Sequence, residues 1–224
     1  FEQQLPGRFF VESIDIPFNF STINNRAAKK AHGEYLLFLN NDTEVITENW
    51  LTLMVSLAQQ ERIGCVGAKL LYPNNTVQHA GVILGLGGVA GHGHYGYPHG
   101  DLGYFGRLAI NVNYSAVTAA CLLMKKADFD AVGGFEEAFT VAFNDVDLCL
   151  KVQALGRDNV WLHEAELYHF ESQTRGYDDK GKKKKRFEQE KVMMEEKWGP
   201  LIENDPFYNP NLTRDIPNFS LRID

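Results

Sequence analysis

The sequence predicts an α/β fold, an open sheet covered by helices on both faces, and three observations predict it. Residues 35–39 (YLLFL) are apolar without alternation, the pattern of a strand buried on both sides, as in a parallel sheet. A helical pattern over residues 21–31, with Ile23, Ala27, Ala28 and Ala31 on one face, leads directly into that strand, the αβ order of half a nucleotide-binding unit. Beyond it the alternation continues, with a helix starting at Thr47 or Glu48 and an apolar strand at 64–72.

At 224 residues and 44% hydrophobic, the chain can bury a substantial core as one large or two small domains. A net charge of −7 argues against general nucleic-acid binding. No apolar run reaches the length of a membrane span, and the first residues, FEQQ, do not form a signal peptide. Cys65, Cys121 and Cys149 are odd in number, far apart and set among apolar neighbours. They read as core thiols of a reducing compartment, without zinc spacing.

In chain order, residues 9–16 mix aromatic and β-branched types and predict a strand or extended edge ended by Pro17. Ser21 is the expected cap of the first helix and Gly33 its stop. Asn24, Asn25 and Arg26 fall in its first turns, where they either meet a phosphate or ribose or simply cap the helix. The 35–39 strand stops at Asn40, Asn41 and Asp42, at the carboxyl end where open α/β sheets bind ligands. One hard carboxylate flanked by amides suits a divalent cation that keeps water and phosphate ligands; the competing reading is a polar turn in which Asp42 or Thr43 caps the next helix.

Trp50, Leu51, Met54, Val55, Leu57 and Ala58 supply the buried face of the second helix. The turn PNN at 73–75 folds the 64–72 strand against another through 76–84, a hairpin. Residues 85–106 carry nine glycines and three histidines without periodicity and predict a mobile active-site loop on the acceptor side; the spacing of His92, His94 and His99 fits no metal pair. Residues 112–125 resume the core as strand, and 126–131 form a short helix closed by Gly133 and Gly134. Asn144, Asp145 and Asp147 cluster at the amino end of a helix running to Gly156. There they are caps favoured by the dipole, or Asp145 is a general base for an acceptor hydroxyl. A pair of short strands is expected over 159–167, and a single histidine such as His169 after a strand is usually structural. Residues 180–198 read as a charged helix with a basic start, KKKKR at 182–186, and Phe187, Met194 and Trp198 on its apolar side. That run is either solvated or faces an anionic membrane surface or a lipid diphosphate. Pro200, Pro206, Pro210 and Pro217 mark an extended tail wrapping the domain.

The segments FNFSTINN (18–25), GEYLLFLNNDTEV (33–45), GAKLLYP (67–73), QHAG (78–81), GGFEEAF (133–139), NDVDLC (144–149) and HFES (169–172) occur together and in order. In this the sequence resembles family 2 of the inverting glycosyltransferases with the GT-A fold, particularly the rhamnosyltransferase-like members that build bacterial surface polysaccharides. The resemblance implies a mixed central sheet flanked by helices, with residues 1–179 as the core (donor side 1–84, acceptor side 85–179) and 180–224 as a helix and tail. It implies that Asp42, at the last position of a D-x-D element, and His169 hold a divalent cation, Mn2+ or Mg2+. Asn25, Asn40, Asn41 and Arg175 would bind a nucleotide-diphosphate sugar donor. Asp145 would be the base in an inverting displacement, with Asn144 and Asp147 on the side of a glycan or lipid-linked glycan acceptor. A cytoplasmic enzyme in peripheral contact with the inner face of the plasma membrane is implied by the same resemblance.

Two departures stand out. Family members begin with a βαβ half that reads the nucleotide base, and none precedes Phe1, which implies a fragment of a longer enzyme, inactive alone, whose open sheet edge a second copy would cover in a homodimer. Asn40 also stands at the first acid of the D-x-D element, beside the amide of Asn41, and Asn144 at the first member of the family's acidic pair. They favour the rival reading, a non-catalytic carbohydrate-binding or scaffold module. A metal-dependent hydrolase lacks any nucleophile motif or paired-histidine spacing here.

Overall fold

The computed structural model describes residues 11–170 and 181–223. Residues 11–16 form no strand, and the first element is α1 (Phe20–Lys30). Its cap is Asn19, whose side chain accepts from Thr22 N at 3.0 Å, and not Ser21. Ser21 is buried and donates its hydroxyl to the Phe139 carbonyl at 2.6 Å, tying the helix to a loop 118 residues away. Next come β1 (Tyr35–Leu39), β2 (Thr43–Val45), α2 (Trp50–Ala58) and β3 (Ile63–Leu71). The chain continues through β4 (Val77–His79), β5 (Val82–Leu84), β6 (Ala90–His92), a 3-10 turn at Tyr104–Ala109, β7 (Val112–Tyr114) and β8 (Cys121–Lys125). It ends with α3 (Lys126–Ala131), α4 (Asn144–Ala154), β9 (Asp158–His169) and α5 (Gly181–Glu203).

Seven strands form a mixed sheet in the order β1-β8-β3-β9-β2, with β4 added to β3 and β7 to β9. Among the described strands only β3 and β9 run parallel; β1 lies antiparallel on β8, so its apolar run belongs to a mixed sheet and not to a parallel one. It is still covered on both faces: Leu36 and Phe38 join the core under α1, α3 and α4, whereas Tyr35 and Leu37 pack towards α2. On α2 only Met54 and Ala58 are buried, and Leu51, expected on that face, is 41% exposed. β3 is buried at all nine positions, as its continuous apolar run requires at the centre of the sheet.

Three strand boundaries differ from expectation. The 76–84 strand breaks at Gly81 (φ +88), where a Cβ would overlap the Tyr114 ring, so β4 stays on the main sheet while β5 pairs with β6. Residues 112–125 divide into β7 and β8. Conversely, β9 is one strand of 12 residues, which absorbs register shifts against β3 where two short strands were expected.

The glycine-rich stretch 85–106 is packed, not structureless. Leu86, Val89 and His94 are buried, and the His94 ring stacks on Phe219 of the tail with centroids 4.1 Å apart. α5 continues through Pro200 into a tail whose Asp205 accepts from Leu84 N at 2.6 Å and Ser115 Oγ at 2.8 Å. The three cysteines are buried free thiols, and no helix among the described residues is long and apolar enough to cross a membrane.

Candidate active site

Several segments meet at the carboxyl edge of the parallel pair β3 and β9. As β1 ends, Asn40 N donates to the Ala120 carbonyl at 2.9 Å and Thr43 Oγ1 closes the turn onto the Asn40 carbonyl at 2.9 Å. β2 then pairs with β9, setting Thr43 opposite His169, and Phe170 N donates to the Asp42 carbonyl at 2.9 Å. These backbone constraints bring Asp42 Oδ1 to 3.2 Å from His169 Nε2.

The protonation of His169 is set by its neighbours. Gln78, buried on β4, donates Nε2 to the His169 carbonyl at 3.3 Å, which turns its Oε1 to His169 Nδ1 at 2.6 Å. An amide oxygen only accepts, so Nδ1 carries a proton, and in the neutral ring Nε2 presents a lone pair. Asn40 Nδ2 donates to that lone pair at 3.1 Å, leaving Asp42 Oδ1 buried without a hydrogen-bond donor. In the neutral ring the Asp42 carboxylate oxygen and the Nε2 lone pair lie 3.2 Å apart with no proton between them, a spacing at which a cation that displaced the Asn40 amide would reach both. The donor set therefore fits a divalent ion. Among the described residues no group of three or more His, Cys, Asp or Glu side chains is placed to hold a metal, so such an ion would complete its shell with water or ligand oxygens.

Asp145 lies one short segment away. The turn into α4 is made by Phe143 in the left-handed region (φ +60), after which Asp145, half-buried, accepts Val146 N on Oδ1 at 2.9 Å and Ala119 N on Oδ2 at 3.0 Å. Each oxygen keeps a second acceptor position. Residues 118–120 thus act as a backbone bridge: Thr118 N donates to His79 Nε2 at 3.3 Å, Ala119 N to Asp145, and the Ala120 carbonyl receives Asn40 N. His79 Nδ1 meets His92 Nδ1 at 2.8 Å. Burial, reinforced by His92 and His169, holds His79 well below the usual imidazole range, so it stays neutral.

The remaining expected site residues fall elsewhere. Asn25 is buried and spends its amide on the next loop: Nδ2 donates to the Phe135 carbonyl at 2.9 Å and Glu137 Oε1 at 3.1 Å, and Oδ1 accepts Phe135 N at 2.9 Å. It borders a groove of about 400 Å³ shared with Lys29, Gly134 and Glu137. Asn41 is exposed at the turn. Asn144 is buried and donates to the Val141 carbonyl at 2.9 Å, tying the start of α4 to the loop before it. Asp147 is fully buried and accepts Trp198 Nε1 at 2.8 Å and Lys197 Nζ at 2.6 Å, so it anchors α5 and offers an acceptor nothing. Arg175 lies outside the described residues. His99 is committed to Glu166 at 2.8 Å, apart from His92 and His94. Sequence reasoning gave Gln78 and His79 no role; their signal was a polar pair inside an otherwise buried hairpin strand.

This mixed sheet with flanking helices is the GT-A fold. Among solved structures the chain is similar to GalNAc-T7 with UDP, GalNAc and Mn2+ (TM-score 0.62, 12% identity, 88% of this chain and 40% of that one). It is also similar to the mannosyltransferase PcManGT from Pyrobaculum calidifontis in complex with GDP-Man and Mn2+ (TM-score 0.51, 15% identity, 79% and 42%). No family model matches the sequence. Among curated proteins, the uncharacterized protein y4gI of Sinorhizobium fredii is 54% identical over 206 residues, 92% of this chain and 23% of that protein. The O-antigen biosynthesis protein RfbC of Myxococcus xanthus is 40% identical over 224 residues, 99% of this chain and 17% of that protein. The chain thus spans less than a quarter of the length of these curated relatives.

Proposed function

We propose that the chain is the core of a glycosyltransferase that moves a sugar from a nucleotide-diphosphate donor to an acceptor hydroxyl with inversion, in bacterial surface-polysaccharide synthesis. The observation that carries this reading is the Asp42 and His169 pair, two electron-pair donors 3.2 Å apart at the carboxyl edge of a GT-A sheet, with Asp145 joined to it through residues 118–120. The likeness to RfbC over nearly the whole chain supports the polysaccharide setting, and the Mn2+ and nucleotide partners of the two transferases support the donor class.

A divalent ion on Asp42 and His169 would neutralise the donor diphosphate and stabilise it as the leaving group. Asn40 Nδ2 holds the Nε2 lone pair and would give it up to a cation, while Gln78 fixes the ring from the other side. Asp145, held by two backbone amides, takes the proton of the acceptor hydroxyl on a remaining lone pair while the acceptor oxygen bonds to the anomeric carbon and the bond to the diphosphate breaks. Attack on the face opposite the leaving group inverts the configuration.

The non-catalytic carbohydrate-binding reading has one observation in its favour: both Asp145 oxygens already accept backbone amides, a structural use of the carboxylate. Titration calorimetry with a panel of nucleoside diphosphates, with and without Mn2+, separates the two. A metal-dependent nucleotide response lost in Asp42→Ala supports the transferase; no response to any nucleotide by the chain or its full-length parent favours the binding module.

A further inference from the structure

We infer that Gln78 is a positioning residue for the metal ligand His169, and that its amide selects the imidazole tautomer the cation site needs. This rests on the transferase reading of the site. Neutral histidine exists as two tautomers, and only the one protonated on Nδ1 offers Nε2 to a cation. Gln78 accepts from Nδ1 at 2.6 Å and donates to the His169 carbonyl at 3.3 Å, so one side chain grips both the ring and the backbone of the same residue. Because the donor half of the amide is spent on the carbonyl, the amide cannot turn over and present NH2 to Nδ1 without placing its oxygen against the His169 carbonyl oxygen. Gln78 is 4% exposed and His169 6%, so bulk solvent has little access to the pair. The backbone supports the grip: Leu70 on β3 pairs with His79 on β4 and with Leu167 on β9, which sets Gln78 and His169 beside one another across β3. A second polar group that orients a ligating histidine in this way typically changes metal affinity by about 10–100-fold when removed.

Two variants of the 224-residue chain test the role. Gln78→Met keeps the volume and removes the acceptor; Gln78→Glu keeps an acceptor for Nδ1. Two readouts apply: Mn2+ affinity by calorimetry, and the His169 tautomer from imidazole 15N shifts of metal-free protein above the histidine titration range, assigned by the signal lost in His169→Gln. The expected result is an Nδ1-protonated ring in the wild type and in Gln78→Glu, and a mixed or Nε2-protonated ring in Gln78→Met with Mn2+ binding weakened by about 10–100-fold. An Nε2-protonated ring in the wild type overturns the inference, even where Gln78→Met fails to fold. So does a Gln78→Met protein that keeps both the tautomer and the affinity. A wild-type protein that binds no Mn2+ but shows the Nδ1 tautomer, lost in Gln78→Met, instead sinks the metal reading of the site and leaves Gln78 as the group that sets the tautomer.

Discussion

Replacing Glu190 by Gln should destabilise the protein by about 3 kcal/mol and loosen the loop that presents Asp145. Glu190 is 2% exposed on α5. Its Oε1 accepts Thr140 N at 2.7 Å, Thr140 Oγ1 at 2.6 Å and Val141 N at 3.2 Å, and its Oε2 accepts Ala142 N at 2.9 Å. Glutamine keeps one oxygen but points an NH2 at the Ala142 amide, leaving a buried N–H without an acceptor at a cost of about 1–3 kcal/mol. The other three bonds fall from charge-assisted to neutral strength, about 0.5–1 kcal/mol each. Relief from burying a charge offsets part of this sum, which gives the net figure of about 3 kcal/mol. For a chain of this size that is a fall in Tm of about 6–12 °C. Urea unfolding reads the stability, and amide hydrogen exchange at residues 140–142 reads the loop. A Gln variant within about 0.5 kcal/mol of wild type, a surface-like effect, with unchanged protection at those amides would refute the reasoning.

Asp145→Asn, which keeps the shape and one of the two backbone acceptors but loses the base, should lower sugar transfer by about 10²–10⁴-fold while leaving nucleotide and Mn2+ binding intact, as read by product formation and calorimetry. Burial, with Arg107 adding to it and Asp101 opposing, holds His94 down at about 4. Its Nε2 accepts Tyr104 N at 3.0 Å, so a proton added there would face another donor. A histidine depressed from about 6.5 contributes stability that is whole above that pH and is lost as pH falls through the folded value, at most about 3 kcal/mol between pH 6.5 and 4. Urea midpoints across that window should fall with pH, and by less in His94→Asn. Gly81→Ala should cost about 3 kcal/mol or more in thermal unfolding, because the residue has φ +88 and its Cβ would overlap the Tyr114 ring; wild-type stability would mean that β4 and β5 do not separate there.

What was legible in the sequence was what local chemistry writes. The strand 35–39 stood out because its apolar run ends on Asn40, Asn41 and Asp42 with nothing between, and α3 and α4 stood out because Gly133, Gly134 and Gly156 stop helical runs. The rest depends on partners distant in the chain. The packing of 85–106 could not be read among nine glycines, since Phe219 supplies the stacking face for His94. The length of β9 was hidden because its register shifts are accommodated against β3, which breaks the expected alternation without breaking the strand. Asp147 read as a site residue by its place in the first turn of α4, yet its partners Lys197 and Trp198 lie on α5 and take it out of reach. Of the candidate site, Asp42, Asp145 and His169 stand out in the sequence as chemistry, whereas Gln78 does not, because a glutamine shows its contacts only once the ring it faces is in place.

The amino end of α4 is held from two sides by one helix. Glu190 grips residues 140–142 before it, Lys197 and Trp198 grip Asp147 within its first turn, and Asp145 lies between these points. α5 also sends Met194 and Ile202 into the core that contains Leu148 and Val152 of α4. A change of composition at residue 180, from glycine- and aromatic-rich to lysine-rich, therefore does not mark a mechanical boundary: the helix beyond it packs into the same core and constrains the position of Asp145. Among the described residues, Asp145 is joined to the Asp42 and His169 pair through residues 118–120, a backbone bridge with no long side chain in it. The distance from the proposed base to the proposed cation site is thus set by two anchors, α5 on one side and the end of β1 on the other, with a short peptide between. Strain introduced at either anchor should reach the proposed base through that peptide.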